Sequence, residues 1–134
     1  MNCEPIDLPD VVAEIRKVHD KYEAALSKND LDMLDALFWR DAKTIRFGPN
    51  GTLIGHASIS AFRRGRKFKE SKRMILAQHI TTFGRDFAVT NQETRNPDSE
   101  EVTRQSQTWV RTEQGWRIVA AHVSTQPRSV PTST

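Results

Sequence analysis

Five side chains in this 134-residue sequence carry chemistry that a packed core does not need: Tyr22, Arg46, Arg63, Gln105 and Gln107. Tyr22 is the only tyrosine, and it falls on the apolar face of the first predicted helix. A phenol placed there serves either as a proton or hydrogen-bond donor to a bound molecule or as a core tyrosine bonded to a backbone carbonyl. Arg46 belongs to the alternating run Thr44-Ile45-Arg46-Phe47, and strand parity alone allows it to face solvent or the interior. Turned inward, its planar guanidinium would make two parallel hydrogen bonds to a carboxylate and keep its charge at any working pH. Arg63 stands with Ile59, Phe62 and Arg66 at helical spacing, so two guanidiniums share a face with two apolar anchors, and Arg63 can snorkel its head group inward. Arg66, one turn further, is the more solvated of the pair. Gln105 and Gln107 lie on one side of a strand that also carries Trp109. That side is either an ordinary outward polar face or an interior wall of amides.

The elements that must position these groups are legible in the periodicity. From Leu8 to Ser27, Val11, Ile15, Val18, Tyr22, Ala25 and Leu26 recur at helical spacing, which predicts an amphipathic helix of about five turns. Asp30 can cap a short second helix with apolar positions Leu31, Leu34, Leu37 and Phe38. Gly48-Pro49-Asn50-Gly51 joins strand 44–47 to a return strand, 52–54, as a hairpin. A third helix is expected from about Ala57 to Lys67. Everything after Arg73 is strand-like: 74–83, 87–95, 102–112 and 116–125, separated by turn-forming triplets. Helices followed by an antiparallel meander predict a single α+β domain spanning residues 1–134, with three helices packed on a curved sheet around a cone-shaped hollow. Loose tails are expected at about 1–8 and 127–134. In the last strand, Trp116 to Val123, both alternating sets are largely apolar, which predicts that both faces of the sheet are covered, one by the helices and one by a second subunit in a homodimer.

Composition removes several function classes. At this length one core and one site are expected. The net charge is +3, yet seven cations between Arg63 and Arg73 face only Glu70, so this segment carries +6 and the remainder −3. No aromatic stacking platform accompanies the basic run, which places nucleic-acid binding last and favours a solvated helix end. The single cysteine, Cys3, has no internal partner, and Glu4, Asp7 and Asp10 stand where a secretory signal needs positive charge. No run is long enough to cross a bilayer. A cytoplasmic, membrane-free protein is expected. His19, His56, His79 and His122 show no metal-ligand spacing, there is no glycine-rich phosphate loop, and no serine lies in a nucleophile elbow; neither metal nor cofactor is expected.

Leu37-Phe38-Trp39 ahead of the first strand, and Gly115-Trp116-Arg117-Ile118-Val119-Ala120-Ala121-His122-Val123-Ser124 in the last, resemble the nuclear-transport-factor-2-like (NTF2-like), or SnoaL-like, superfamily. That fold hosts isomerases, dehydratases, hydrolases and assembly domains, so by itself it implies a cone and little chemistry. A narrower resemblance lies in Thr44-Ile45-Arg46-Phe47-Gly48, Leu53-Ile54-Gly55, Ile59-Ser60-Ala61-Phe62-Arg63-Arg64-Gly65-Arg66, Thr81-Thr82-Phe83-Gly84-Arg85-Asp86 and Arg104-Gln105-Ser106-Gln107-Thr108-Trp109-Val110-Arg111. These five blocks, in order, are similar to the AtzH-like family, which includes the HpxZ-like proteins. His79, where relatives tend to carry an aliphatic residue, and Thr94, where an aromatic is common, depart from the family pattern and bear on substrate identity more than on fold.

The resemblance implies a small enzyme of nitrogen catabolism associated with a pathway amidase: a decarboxylating amidohydrolase that converts 1,3-dicarboxyurea to allophanate during cyanuric acid (s-triazine) breakdown. It also implies the site. Tyr22 matches the oxyanion-hole tyrosine that ketosteroid isomerases take from their first helix, and Arg46 stands where those enzymes hold a general-base carboxylate. A cation there argues against proton abstraction from carbon and suits an anionic substrate. For such a substrate the helix face shared with Ile59 and Phe62 makes Arg63 the best second carboxylate clamp, and Gln105 and Gln107 could satisfy the N–H and C=O groups of the urea core if their side of the strand is not the outward polar face. The competing reading is a non-catalytic module, similar to the association domain of calmodulin-dependent kinase, that holds small carboxylates or partners an amidase.

Overall fold

The computed structural model describes residues 4–70 and 72–127. Helix α1 (Pro9–Lys28) starts with proline at its first turn, where the missing N–H costs nothing. It ends at Asn29, whose left-handed conformation (φ 54°) returns the backbone N–H to Leu26. Asp30 then caps α2 (Leu31–Leu37), its carboxylate accepting from the Met33 N–H at 3.1 Å. Strands β1 (Ile45–Gly48) and β2 (Gly51–Ile54) form the predicted hairpin, α3 runs His56–Gly65, and β3 (Met74–Phe83), β4 (Phe87–Arg95), β5 (Val102–Thr112) and β6 (Gly115–Gln126) form the meander. The third helix stops two residues before its expected end, so Arg66 is its extended C-terminal cap and does not continue the helical face.

The six strands make one sheet in the order β2-β1-β6-β5-β4-β3. Neighbours are antiparallel except β1 and β6, which run parallel with Arg46 opposite Ala121. This closure, which the meander pattern did not predict, carries the hairpin back to the last strand and completes the curved sheet. A shift in register between Thr108 and Trp109 accentuates the curvature of β5 against β6.

Val11, Ile15, Tyr22 and Ala25 of α1, Leu34 and Leu37 of α2, and Ile59 of α3 pack on Ala88, Trp109, Trp116, Ile118 and Ala121 of the concave face. Each large aliphatic so buried contributes roughly 1.5–3 kcal/mol. The expected loose N-terminal stretch is attached from Pro5 onward: Ile6 bridges Phe83, and Asp7 exchanges bonds with Thr82 through its N–H and its carboxylate. Cys3 and residues 128–134 of the expected C-terminal tail lie outside the described residues. On the convex face Phe47, Ile54 and Phe87 are exposed, at 45%, 61% and 55%.

Candidate active site

Register places the site. On the concave face Leu53, Arg46, Ala121, Gln107, Thr90 and Ile80 stand opposite one another across all six strands. One step along, Val123, Gln105, Gln92 and Gln78 form the next row. The parity left open by the sequence is thereby resolved for Arg46, Gln105 and Gln107: all three point at the helices.

Tyr22 is 3% exposed, and its hydroxyl oxygen accepts a 2.8 Å hydrogen bond from Gln105 Nε2. That contact uses a lone pair of the oxygen and leaves the phenol hydrogen to be aimed elsewhere. The ring packs 6.3 Å from Phe38, centroid to centroid. Phe38 also carries Arg63, whose guanidinium carbon lies 4.4 Å from the ring centroid. Arg63 is 4% exposed and its Nη1 has no hydrogen-bond partner among the described residues. Arg46 lies 5.5 Å and the exposed Arg66 5.8 Å from the centroid of Phe62. Gly48, two residues beyond Arg46, makes room for the guanidinium: a β-carbon on Gly48 would stand 2.8 Å from Arg46 Nη1.

None of Arg46, Arg63 and Arg66 takes part in an ion pair among the described residues. Asp35, the acid that acts on Arg63, is engaged by Arg64 at 2.7 Å and Ser60 at 2.9 Å. Burial lowers the pKa of Arg63; Tyr22 opposes the shift and the neighbouring Arg46 and Arg66 add to it. Burial does the same to Arg46, again against Tyr22 and with Arg66. Both remain cations, since an arginine starts so far above neutrality. The site is a concentration of positive charge around a phenol, with stacked phenyl rings taking the place of counter-ions. Two other cations of the basic run are drawn away from the site: Arg64 turns to α2, and Arg73 pairs with Glu23 of α1 at 2.5 Å.

A polar cluster that sequence reasoning did not single out adjoins the phenol. His19, one turn before Tyr22, is 1% exposed and its Nδ1 lies 3.0 Å from Gln78 Nε2. Gln78 also bonds Gln92, which donates to Glu23 at 2.8 Å. Burial lowers the His19 pKa, so the ring is neutral near pH 7. The signal was present in the spacing of His19 and Tyr22 on one helix face, but a lone buried histidine reads as core. His122, by contrast, lies on the convex face, edge-on to Phe47 at 5.8 Å.

The family model described as AtzH-like matches residues 4–129. The chain belongs to the AtzH-like family. Among solved structures similar to it are a protein of unknown function from Pectobacterium atrosepticum and a cystatin-like fold protein from Burkholderia xenovorans. The first is 42% identical, covers 93% of this chain and 99% of its own, with a TM-score of 0.90. The second is 35% identical over 94% of this chain and 99% of its own, also at 0.90. An NTF2-like superfamily protein from Salmonella enterica, 23% identical over 93% and 97% of the two chains at a TM-score of 0.73, shares the fold. No curated protein matches the chain. The AtzH-like member described here is therefore an NTF2-like α+β domain, as the sequence blocks implied, and no helix among its described residues is long and apolar enough to cross a membrane.

Proposed function

We propose that this AtzH-like protein is a decarboxylating amidohydrolase that takes a small dianionic urea derivative, 1,3-dicarboxyurea, to allophanate in the breakdown of cyanuric acid. One observation carries the reading: Arg46 and Arg63, the two cations that act on Tyr22, have no ion-pair partner among the described residues. A buried guanidinium with no counter-charge is costly, and a dianion offsets that cost at the moment of binding. Membership in the AtzH-like family supports the same substrate class.

In the reaction, the bond between a terminal carboxylate carbon and its nitrogen breaks, the electron pair stays on nitrogen, and carbon dioxide leaves. The nitrogen takes one proton, which the Tyr22 hydroxyl supplies and solvent restores. Arg46 and Arg63 hold the two carboxylates, and Gln105 holds the phenol through its oxygen. The hydrolytic variant uses the same groups: Tyr22 orients a water, Arg46 stabilises the oxyanion, and bicarbonate leaves in place of carbon dioxide.

The deciding experiment is incubation of the pure protein with 1,3-dicarboxyurea, with allophanate and the first inorganic product followed by membrane-inlet mass spectrometry. Prompt carbon dioxide supports direct decarboxylation, and prompt bicarbonate supports hydrolysis. Binding without turnover would replace the enzyme with a non-catalytic module that holds small carboxylates or partners an amidase. The same proposal includes a second copy of the chain on the convex face, where Phe47, Ile54 and Phe87 are exposed; a monomeric mass by light scattering at micromolar concentration removes it.

A further inference from the structure

Trp109, Thr90 and Gln107 form a buried relay: Trp109 Nε1 donates to Thr90 Oγ1 at 3.1 Å, and Thr90 Oγ1 donates to Gln107 Oε1 at 3.3 Å. All three are 1% exposed or less. An indole nitrogen can only donate, so the relay has a direction. The threonine oxygen must accept from Trp109, its hydrogen goes to the glutamine carbonyl, and the amide NH2 of Gln107 is left over. That nitrogen is buried with no hydrogen-bond partner among the described residues. The reversed amide would strand both the Thr90 hydrogen and Gln107 Oε1 in the interior, which costs more than the observed arrangement.

The unspent donor belongs to a residue of the concave face, in the row of Arg46. Gln107 stands opposite Ala121, and Ala121 opposite Arg46, so only a methyl group intervenes in the row between amide and guanidinium. Two residues along the same face, Gln105 donates to Tyr22. The wall between the Arg46 clamp and the phenol therefore offers hydrogens and no acceptor from Gln107. In a dianion of the proposed class, the group between the two carboxylates that needs such a donor is the central carbonyl oxygen.

We infer that Gln107 is a substrate-contacting, specificity-determining residue that donates to the central carbonyl of the bound dianion, and that Thr90 is the positioning residue that fixes its polarity. The inference rests on the dianion reading above and deepens it. Glutarate and 3-oxoglutarate test it, because these dicarboxylates have the same chain length and differ in the central carbonyl. By titration calorimetry the wild type should bind 3-oxoglutarate at least about tenfold more tightly than glutarate, the factor one good hydrogen bond supplies. Thr90→Val and Gln107→Leu should bind both alike, and Thr90→Ser, which keeps the hydroxyl, should retain the preference; thermal melts confirm that each variant is folded. An undiminished preference in folded Thr90→Val, or equal affinities in the wild type, overturns the inference while leaving the dianion reading intact. Affinity of the wild type for neither probe overturns both.

Discussion

Gln105 and Tyr22, 83 residues apart in the chain, meet through a 2.8 Å hydrogen bond in which the amide donates and the phenol oxygen accepts. The direction of that bond separates Tyr22 from an ordinary core tyrosine, because the hydroxyl hydrogen is not consumed by it. Tyr22→Phe keeps the ring against Phe38 and leaves Gln105 short of an acceptor. The expected cost is about 1 kcal/mol in stability and a loss of at least about 100-fold in kcat. A folded variant turning over dicarboxyurea at the wild-type rate would exclude the phenol as proton donor.

Arg46 is expected to act as a fork and not merely as a charge. Arg46→Ala should lower kcat/KM by about 100-fold or more, and Arg46→Lys should recover little of it, since an ammonium cannot make the two parallel bonds. Steady-state kinetics on the two variants decide the point: near-complete rescue by lysine would reduce the role to electrostatics.

Gly48 is expected to serve Arg46. A methyl group there would stand 2.8 Å from the guanidinium, the flexible far end of the side chain, so Gly48→Ala displaces the head group more than it strains the strand. The variant should melt within a degree or two of the wild type, yet bind dicarboxylates about tenfold more weakly, a factor equal to one lost hydrogen bond. Unchanged affinity would show that the guanidinium has a second, equally effective pose.

Arg63 should reveal a conflict between stability and function. Among the described residues its buried guanidinium has no ion pair and Nη1 has no hydrogen bond, so Arg63→Met, of similar length, should raise Tm by roughly 3 °C, about 1 kcal/mol, while anion binding collapses. Calorimetric melts provide the measurement. A lower Tm would mean that stacking on Phe38 outweighs the desolvation of the charge.

Acid should unfold the protein through carboxylates that take no part in the proposed chemistry. Burial raises the Asp35 carboxyl, but hydrogen bonds from Arg64 and Ser60 outweigh it and hold the group below its ordinary value. The Arg111 hydrogen bonds do the same for Glu14, against a smaller opposing effect of burial. A depressed folded-state pKa contributes stability above the unfolded value and loses it as pH falls through the folded one. Tm should thus be flat from neutrality to about pH 5 and fall below about pH 4, with a shallower fall in Asp35→Asn. An identical slope in that variant would assign the acid transition to other groups.

The amphipathic spacing of α1, the Asp30 cap, the hairpin turn and the four long strands were all legible, because each depends on neighbours within a few residues. The end of α3 was misread: the apolar spacing continues to Arg66, but the helix is released at Gly65. The parallel pairing of β1 with β6 left no local trace, since the residues it joins are Ile45–Phe47 and Ala120–His122.

By itself the sequence determined the three helices, the hairpin and meander, the sole tyrosine on an interior helix face and the surplus of cations near it. All of these follow from periodicity and composition. Only the tertiary structure decided which side of β1 and β5 faces inward, that Gln105 binds the phenol, that Gly48 shelters Arg46, and that Trp109 and Thr90 turn Gln107 into a donor. The physical reason is that a strand's two faces are equivalent until a sheet registers its rows and packs one side, and hydrogen-bond polarity passes between residues that the chain keeps far apart.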